Sequence, residues 1–374
     1  MGQVPGLPRK PPATSNRIQS IDALRGLIMI IMALDHTRDF FHSAAFSFQP
    51  EDLTRTTPAI FFTRWITHFC APVFMFTAGL GAYFWLQRRH TKTQLSSFLA
   101  SRGVWLMLLD VTAVRFAMTF GAGPYLINVL WGLGGAMIVL AMLIHLPTRV
   151  LAALSIAVIA LHNLADPINL PGLHQLGLFQ IHGGSVLIAY TLIPWFAVMS
   201  AGFCFGEVFT KHKQWIAPIG LTLTAAFLII RSINIYGDPV HWSGGILSFL
   251  RVNKYPPSLD FLLMTLGPAL ILLALLDKLR FRATNPLLIF GRVPLFFFLA
   301  HLYLIHLLAI VLGSIQYGRL AFVNPILKVY PPGYGFSLPV VYLIWIGVVT
   351  MLYPMCLWYA KLKQRRQAWW LSYL

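Results

Sequence analysis

The sequence predicts an all-α polytopic integral membrane protein with about ten transmembrane helices, and its composition carries that prediction. Hydrophobic residues make up 57% of the 374-residue chain and charged residues only 10%, and the mean hydropathy is +0.71. Soluble domains have about 25% charged residues. The apolar residues also fall in runs of about twenty, which is the length that a helix needs to cross the hydrocarbon core of a bilayer.

Ten apolar segments have the length and composition of spans. They lie near residues 21–41, 59–86, 96–119, 124–145, 148–164, 186–209, 215–236, 258–277, 285–313 and 338–361. The first sixteen residues are polar and proline-rich, and they lack the apolar core of a signal peptide. We therefore expect residues 1–16 to form a disordered cytoplasmic tail and residues 17–374 to form one transmembrane domain.

The basic residues predict the direction of the spans. With ten spans, sixteen basic residues fall on the side of the two termini and five fall on the opposite side. Because cytoplasmic loops carry the excess of Lys and Arg, both termini are predicted to be cytoplasmic and the protein to lie in the cell inner (plasma) membrane. The net charge of +17 does not indicate a nucleic-acid partner, since the basic residues are scattered at the ends of apolar runs. The three cysteines lie inside apolar segments, and no Cys/His spacing predicts a metal site.

The first predicted helix carries a stripe of ionisable residues. Each helical residue advances about 100°, so Arg25 and His36 share a face, and Asp22 and Asp39 fall within about 60° of Arg25. Asp35 lies at the margin of the stripe. Ionisable side chains inside a bilayer are energetically costly and usually functional, so this stripe is the first candidate site.

His36 is the candidate general base of that stripe. An imidazole exchanges a proton near neutral pH, and a neighbouring carboxylate can orient the ring and stabilise its charged form. Asp35 and Asp39 are equally well placed for that task. The alternative is structural: Asp35 or Asp39 pairs with Arg38, and the charges join helices to one another.

A family resemblance appears at these residues. The stretch IDALRGLIMIIMALDHTRDFF at 21–41 resembles the first helix of bacterial relatives of the heparan-α-glucosaminide N-acetyltransferase catalytic domain. Four further blocks are similar to the same group: FFTRWITHFCAPVFMFTAG at 61–79, LIPWFAVMSAGFCFG at 192–206, NKYPPSLDFLLMTLGPAL at 253–270 and GRVPLFFFLAHLYLIH at 291–306. The spacing of Arg25 and His36 also resembles the Arg-x10-His motif of membrane O-acyltransferases that modify surface polysaccharides, in which the histidine is the base. The lysosomal enzyme carries its catalytic histidine nearer the second helix, so His42 and His68 remain alternatives to His36.

The resemblance implies a transmembrane acyltransferase-like bundle. An acetyl group would pass from cytoplasmic acetyl-CoA, a co-substrate rather than a permanently bound cofactor, to a hydroxyl or amine of a sugar or polysaccharide acceptor at the outer side. The implied partners are acyl-CoA, that acceptor and the lipid bilayer, and a homodimer is left open. On the residues alone, a proton-coupled transporter of an anionic or sugar-like solute is an equal alternative, because intramembrane Asp, His and Arg can form a proton relay.

Further polar residues in or beside the spans are candidates for binding these substrates. Buried arginines suit phosphates, and Arg25, Arg102 and Arg292 are predicted to contact acyl-CoA. Five residues are predicted to contact the acceptor: Arg64 and His68, which share a face in the second span, and Asn253, Lys254 and Tyr255 in the outer loop NKYPPS. For Arg64 the alternative is an ion pair with an aspartate of the first helix.

Overall fold

The computed structural model describes residues 18–121, 125–181 and 184–366. The predicted disordered tail at residues 1–16 lies outside this part of the chain. The described residues are mostly α-helical, as predicted. The helices are α1 (Gln19–Phe41), α2 (Pro58–Trp65), α3 (Cys70–Leu86), α4 (Lys92–Leu109), α5 (Arg115–Thr119), α6 (Val129–Leu143), α7 (Thr148–Leu161), α8 (Trp195–Lys211), α9 (Ile216–Ile233), α10 (Ile246–Leu250), α11 (Leu259–Asp277), α12 (Pro286–Arg292), α13 (Pro294–Tyr317) and α14 (Leu338–Arg365).

Seven helical stretches of the described chain are long and apolar enough to cross a membrane: Pro58–Leu86, Lys92–Thr119, Thr148–Ala165, Lys213–Ile233, Leu259–Asp277, Pro294–Tyr317 and Leu338–Arg365. The protein is therefore an all-α multi-pass membrane protein, but the count differs from the ten predicted spans. The other three segments correspond to α1, which carries several charged residues, and to α6 and α8, which have 15 and 17 residues. α1 is not among the seven because of its charged residues, and α6 and α8 are not among them because they are shorter than 18 residues.

Three short strands interrupt the helical pattern. They are β1 (Tyr125–Ile127), β2 (Gly177–Ile181) and β3 (Gly184–Ile188), in the order β1-β3-β2, with β1 parallel and β2 antiparallel to β3. The predicted spans at 124–145 and 186–209 are therefore too long at their starts, where the chain is extended. Their helices begin only at Val129 and Trp195. Hydropathy does not distinguish a short apolar strand from the first turn of an apolar helix.

α1 contacts α12 backbone to backbone through a pair of glycines. A Cβ atom on Gly26 would overlap the carbonyl oxygen of Leu287, and one on Gly291 would overlap the carbonyl oxygen of Asp22. Small residues of this kind allow the close approach that holds membrane helices together. The contact fixes the position of α1, most of whose residues are buried.

The beginning of α1 and the C-terminal half of α14 lie at the same end of the bundle. Gln19 accepts a hydrogen bond from the backbone N–H of Phe281, at 3.3 Å, and the Tyr353 hydroxyl donates to the carbonyl of Thr284, at 2.7 Å. Phe281 and Thr284 belong to one loop, at 278–285, between α11 and α12. We call this the near end of the bundle.

The opposite end, which we call the far end, joins the end of α1 to the start of α14. His42 pairs with Phe336 in an isolated parallel bridge. The hydroxyls of Thr63 in α2 and Tyr342 in α14 lie 2.5 Å apart. α14 therefore runs antiparallel to α1.

Candidate active site

The face of α1 that carries Arg25 and His36 borders two adjoining cavities. The first, of about 240 Å³, is lined mainly by apolar side chains together with Arg25 and Arg102, and we call it the apolar cavity. The second, of about 260 Å³, is lined by His36 and other polar groups, and we call it the histidine cavity. Four residues line both: Met32, Phe74, Val129 and Phe298.

Two arginines bring positive charge to the apolar cavity. Arg25 donates a hydrogen bond to the carbonyl of Thr77, and the Arg102 guanidinium lies 6.0 Å from the centre of the Phe98 ring. Arg25 also lines a third cavity with Asp22 and Arg88, toward the near end. The arginines therefore lie on the side of the apolar cavity toward the near end, and His36 lies in the adjoining histidine cavity on the opposite side.

The histidine cavity gathers most of the polar residues predicted for the site. Its polar and aromatic lining includes Asp35, His36, Asp39, Arg64, Asn128, Tyr190, Lys254 and Tyr255. They come from α1, α2, the start of α6, the segment before α8 and the loop before α11. A further cavity at the far end shares Asp39 and Arg64 with it. Polar groups distant in the chain thus converge where α1 approaches the far end.

His36 has a hydrogen-bond partner that sequence reasoning missed. Its Nδ1 lies 2.7 Å from Nε2 of His301 in α13, and the two rings stack with their centres 5.0 Å apart. His301 is fully buried, and its Nδ1 lies 3.0 Å from the carbonyl oxygen of Phe297. Nε2 of His36 is the ring nitrogen that is not in this contact, and His36 is the member of the pair that lines the cavity.

The carboxylates expected to orient His36 contact arginines instead. Asp35 lies 2.5 Å from Arg64 and 3.0 Å from Arg38, and Asp39 lies 2.6 Å from Arg38. Buried charges are stable only when they are paired, and these guanidinium groups are the nearest opposite charges. The predicted carboxylate contact to His36 is therefore corrected to the contact with His301. The alternative predictions, Asp35 or Asp39 with Arg38 and Arg64 with an aspartate of α1, describe the observed pairs.

Glu51, in the loop between α1 and α2, connects Arg64 to His68. Its carboxylate lies 2.8 Å from Arg64 Nε and 3.4 Å from His68 Nε2. Burial acts to raise the pKa of Glu51, but the charge of Arg64 and the hydrogen bond with His68 outweigh it and hold this pKa well below its usual range. Among the described residues, His68 does not line the histidine cavity and lies behind Arg64.

The loop before α11 presents two of its three predicted residues to the cavity. Lys254 and Tyr255 line it, and the Lys254 ammonium lies 5.2 Å from the centre of the Tyr255 ring. Asn253 instead holds the loop in place: its amide donates to the Pro256 carbonyl at 3.0 Å, and its backbone N–H donates to Asp238 at 2.7 Å.

Lys254 differs from the arginines around it. Its side chain is buried, yet among the described ion pairs it has no carboxylate within 4.0 Å, whereas Arg38 and Arg64 each have two. Lys254 is therefore a cation of the cavity that makes no direct ion pair among the described residues.

Two further predicted residues lie outside both central cavities. Arg292 is at the near end, where it donates to the Ala283 carbonyl at 3.1 Å and lies 3.9 Å from Asp22. His42 follows α1 at the far end, in the bridge with Phe336. Neither is among the residues that line the apolar or the histidine cavity in the described part of the chain.

Sequence reasoning also missed Tyr190, which lines the histidine cavity. Its ring lies 5.9 Å from Trp195 and 5.7 Å from Tyr255, measured between ring centres. A tyrosine between apolar blocks carries no signal of its own. His301 had a signal, a histidine inside an apolar helix, but its contact with His36 depends on the packing of α1 against α13.

One comparison with known proteins gives a match. The sequence model described as "Heparan-alpha-glucosaminide N-acetyltransferase, catalytic" matches residues 17–241, which is more than half of the chain. No curated protein matches the sequence.

Proposed function

Since this chain belongs to the heparan-α-glucosaminide N-acetyltransferase catalytic family, it is a membrane transferase of the acetyltransferase type, and we propose that it moves an acetyl group from acetyl-CoA to a hydroxyl or amine of a sugar acceptor. We further propose that the near end faces the cytoplasm of a cell with the protein in its inner membrane. The donor would then arrive at the near end and the acceptor at the far end.

The observation that carries this proposal is the adjoining pair of cavities along α1. From Arg25 to His36 the helix rises about 16 Å, at 1.5 Å per residue. Over that length the lining changes from arginines, through apolar side chains, to the polar groups around His36. This order matches the order of groups in an acyl-CoA, from phosphates through the pantetheine arm to the thioester.

The near-end arginines suit the phosphates of the donor. Arg25 and Arg102 line the apolar cavity, and Arg88 extends the positive charge toward the near end. Guanidinium groups bind phosphates by charge-assisted hydrogen bonds. In this arrangement Arg292 acts beside the donor site, through its proximity to Asp22.

His36 is the proposed general base. Its Nε2 takes the proton from the acceptor hydroxyl or amine while the acceptor oxygen or nitrogen attacks the thioester carbonyl carbon. The carbon–sulfur bond then breaks, and the CoA sulfur leaves with the proton returned by the imidazolium. The products are the acetylated acceptor and free CoA, so atoms and charge balance without another reactant.

Lys254 and the two aspartates supply the electrostatics of this reaction. Attack on the thioester places negative charge on the carbonyl oxygen, and a fixed cation in a water-poor cavity stabilises that charge strongly. Lys254 suits the task because no described carboxylate pairs with it. Asp35 and Asp39 hold Arg38 and Arg64 and place negative charge beside the imidazolium that forms on His36.

The acceptor is proposed to bind between Arg64, Lys254, Tyr190 and Tyr255. Aromatic faces and charged hydrogen-bonding groups are suited to a sugar ring with its hydroxyls. Asn253 and His68 contribute by holding the loop and Arg64 in position.

The test is acetyl transfer by purified protein in lipid nanodiscs, with labelled acetyl-CoA and a panel of amino sugars and polysaccharide fragments. His36→Ala removes the base and is expected to lower turnover about 10²–10⁴-fold, with a much smaller effect on donor affinity. His42→Ala and His68→Ala are the matched controls, and both should retain much more turnover.

Near-normal turnover in His36→Ala would end this mechanism, and selective loss in His42→Ala or His68→Ala would assign the base to that residue. If wild-type protein acetylates no acceptor but moves a solute across liposomes, the transporter alternative replaces the proposal.

A further inference from the structure

The hydrogen bonds of His36 and His301 determine which nitrogen of each ring carries the hydrogen. A backbone carbonyl only accepts hydrogen bonds, so His301 Nδ1, 3.0 Å from the carbonyl oxygen of Phe297, carries a hydrogen. A neutral imidazole has one N–H, which leaves Nε2 of His301 as an acceptor. His36 Nδ1, 2.7 Å from that acceptor, must then be the donor.

The surroundings of His301 keep it neutral. The residue is fully buried, and the rings of Phe297 and Phe298 lie against it, with centres 5.5 Å and 5.6 Å away. An imidazolium in such a setting loses its hydration, and among the described ion pairs no carboxylate lies close enough to His301 to compensate for that loss. The neutral form, with one donor and one acceptor nitrogen, matches both of its observed contacts.

We infer that His301 is a positioning residue that holds His36 in the tautomer with hydrogen on Nδ1, so that the bare Nε2 faces the histidine cavity. Nε2 is then the nitrogen able to take a proton. The catalytic meaning of this arrangement rests on the proposed function, whereas the arrangement itself does not. Nothing in the sequence neighbourhood of His36 supplies this orientation, since Asp35 and Asp39 are engaged by arginines.

Two substitutions separate hydrogen bonding from packing. His301→Gln keeps an oxygen that can accept from His36 Nδ1, whereas His301→Leu fills similar space without an acceptor. We expect His301→Leu to lower kcat about 10–100-fold, by analogy with the loss of a group that orients a metal-binding histidine, with little change in KM for acetyl-CoA. His301→Gln should recover most of that loss.

His306→Leu is the matched control. His306 is also fully buried on α13, but its Nδ1 lies 2.7 Å from the Ala117 carbonyl and its ring does not contact His36. It reports the cost of removing a buried histidine from this helix. Unchanged kcat in His301→Leu, or equal losses in His301→Leu and His301→Gln, would overturn the inference.

A second measurement is independent of catalysis. Nitrogen NMR of isotope-labelled histidines in nanodiscs distinguishes a protonated ring nitrogen from a bare one, and the signals of His36 are those missing in His36→Ala. We expect Nδ1 protonated and Nε2 bare in the wild type, and a mixture of tautomers in His301→Leu. Hydrogen on Nε2 of wild-type His36 contradicts the inference even if acetyl transfer is observed, and full activity of His36→Ala contradicts the proposed function while leaving the tautomer result standing.

Discussion

At the scale of single residues, the charge of Lys254 is the feature that most distinguishes the histidine cavity from a network of ion pairs. Replacing it with methionine keeps most of the volume and removes the charge. If Lys254 stabilises the developing oxyanion, Lys254→Met should lower kcat about 10²–10³-fold, the range seen when one such donor is lost. Lys254→Arg should retain more activity, and Lys328→Met, at an exposed position of another far-end loop, should behave like the wild type.

Steady-state kinetics with acetyl-CoA and an acceptor found by screening make this comparison. A rise in KM for the acceptor with unchanged kcat would instead make Lys254 a binding residue. Equal activity of Lys254→Met and the wild type would remove Lys254 from the mechanism.

Glu51 gives the fold a predictable dependence on pH. Its pKa is well below the usual value because Arg64 and His68 outweigh the effect of burial. A carboxyl of this kind stabilises the folded state above its unfolded pKa of about 4.3, and that stabilisation is lost as pH falls toward the folded value. At pH 7, Glu51→Gln should therefore cost about 1.5–3 kcal/mol of stability, the range for hydrogen bonds to charged groups.

Thermal unfolding in detergent between about pH 7 and pH 3 measures this effect. The difference between the wild type and Glu51→Gln should shrink as pH falls below about 5. Glu207→Gln, which removes an exposed ion pair with Lys211, should change stability much less than Glu51→Gln does, because exposed ion pairs are screened by water. A difference that stays constant down to pH 3 would show that the Glu51 charge does not stabilise the fold.

The residues that share one face of a helix could be predicted from their spacing, but the contacts between different helices could not all be predicted. The 100° step of a helix was enough to place Arg25 and His36 on one face. The partner of His36 could not be predicted, because His301 is 265 residues away in the chain and contacts it only through helix packing. The predicted contact of a carboxylate with His36 was wrong because Asp35 and Asp39 pair with Arg38 and Arg64, which is the alternative that the sequence left open.

At the scale of elements, the contact of α1 with α12 sets the position of the site-bearing helix. Gly291→Ala would place a Cβ atom against the carbonyl of Asp22, which is backbone and cannot rotate away. Overpacking of this kind costs about 1–3 kcal/mol. We therefore expect a lower unfolding temperature in detergent, and reduced acetyl transfer if α1 shifts in response.

Gly347→Ala is the matched control, because no atom lies within 4 Å of a Cβ at that position of α14. There the substitution removes only the poor helix propensity of glycine, so stability should stay equal or rise by up to about 1 kcal/mol. Equal stability of Gly291→Ala and the wild type would mean that the α1–α12 contact can open without cost.

The elements themselves were predictable to different degrees. Long apolar runs predicted α7, α9, α11 and α14 to within a few residues, whereas α8 begins nine residues later than its predicted span and a proline splits 285–313 into α12 and α13. The strands were missed, although the run FQIHGGSVLI places a Gly-Gly pair between two apolar stretches, which is a hairpin signal. Residues 177–185 fell between predicted spans, and residues 186–188 were predicted as the start of the span at 186–209, because hydropathy does not distinguish a short apolar strand from a helix.

At the scale of the whole molecule, the proposed function places the two ends of the bundle in different compartments. The described chain begins and ends at the near end, as the contacts of Gln19 and Tyr353 with the 278–285 loop establish. That loop holds Lys278, Arg280 and Arg282, whereas Arg319 and Lys328 lie between α13 and α14 toward the far end. The excess of basic residues at the near end favours its retention in the cytoplasm.

The prediction is that a fluorescent reporter fused after residue 366 is active inside the cell, and that a phosphatase reporter at the same position is inactive. The matched insertion is at Gly244, in the loop between α9 and α10, where no atom lies within 4 Å of a Cβ. Exposed loop tips accept insertions, and this loop leads through α10 to Lys254 at the histidine cavity, so the phosphatase there should be active outside. The opposite pattern at both positions would reverse the membrane orientation and place His36 nearer the cytoplasm than Arg102. Acetyl-CoA would then have to reach the thioester site from the far end, past Arg64 and Lys254, and the proposed route of the donor through the apolar cavity would be wrong.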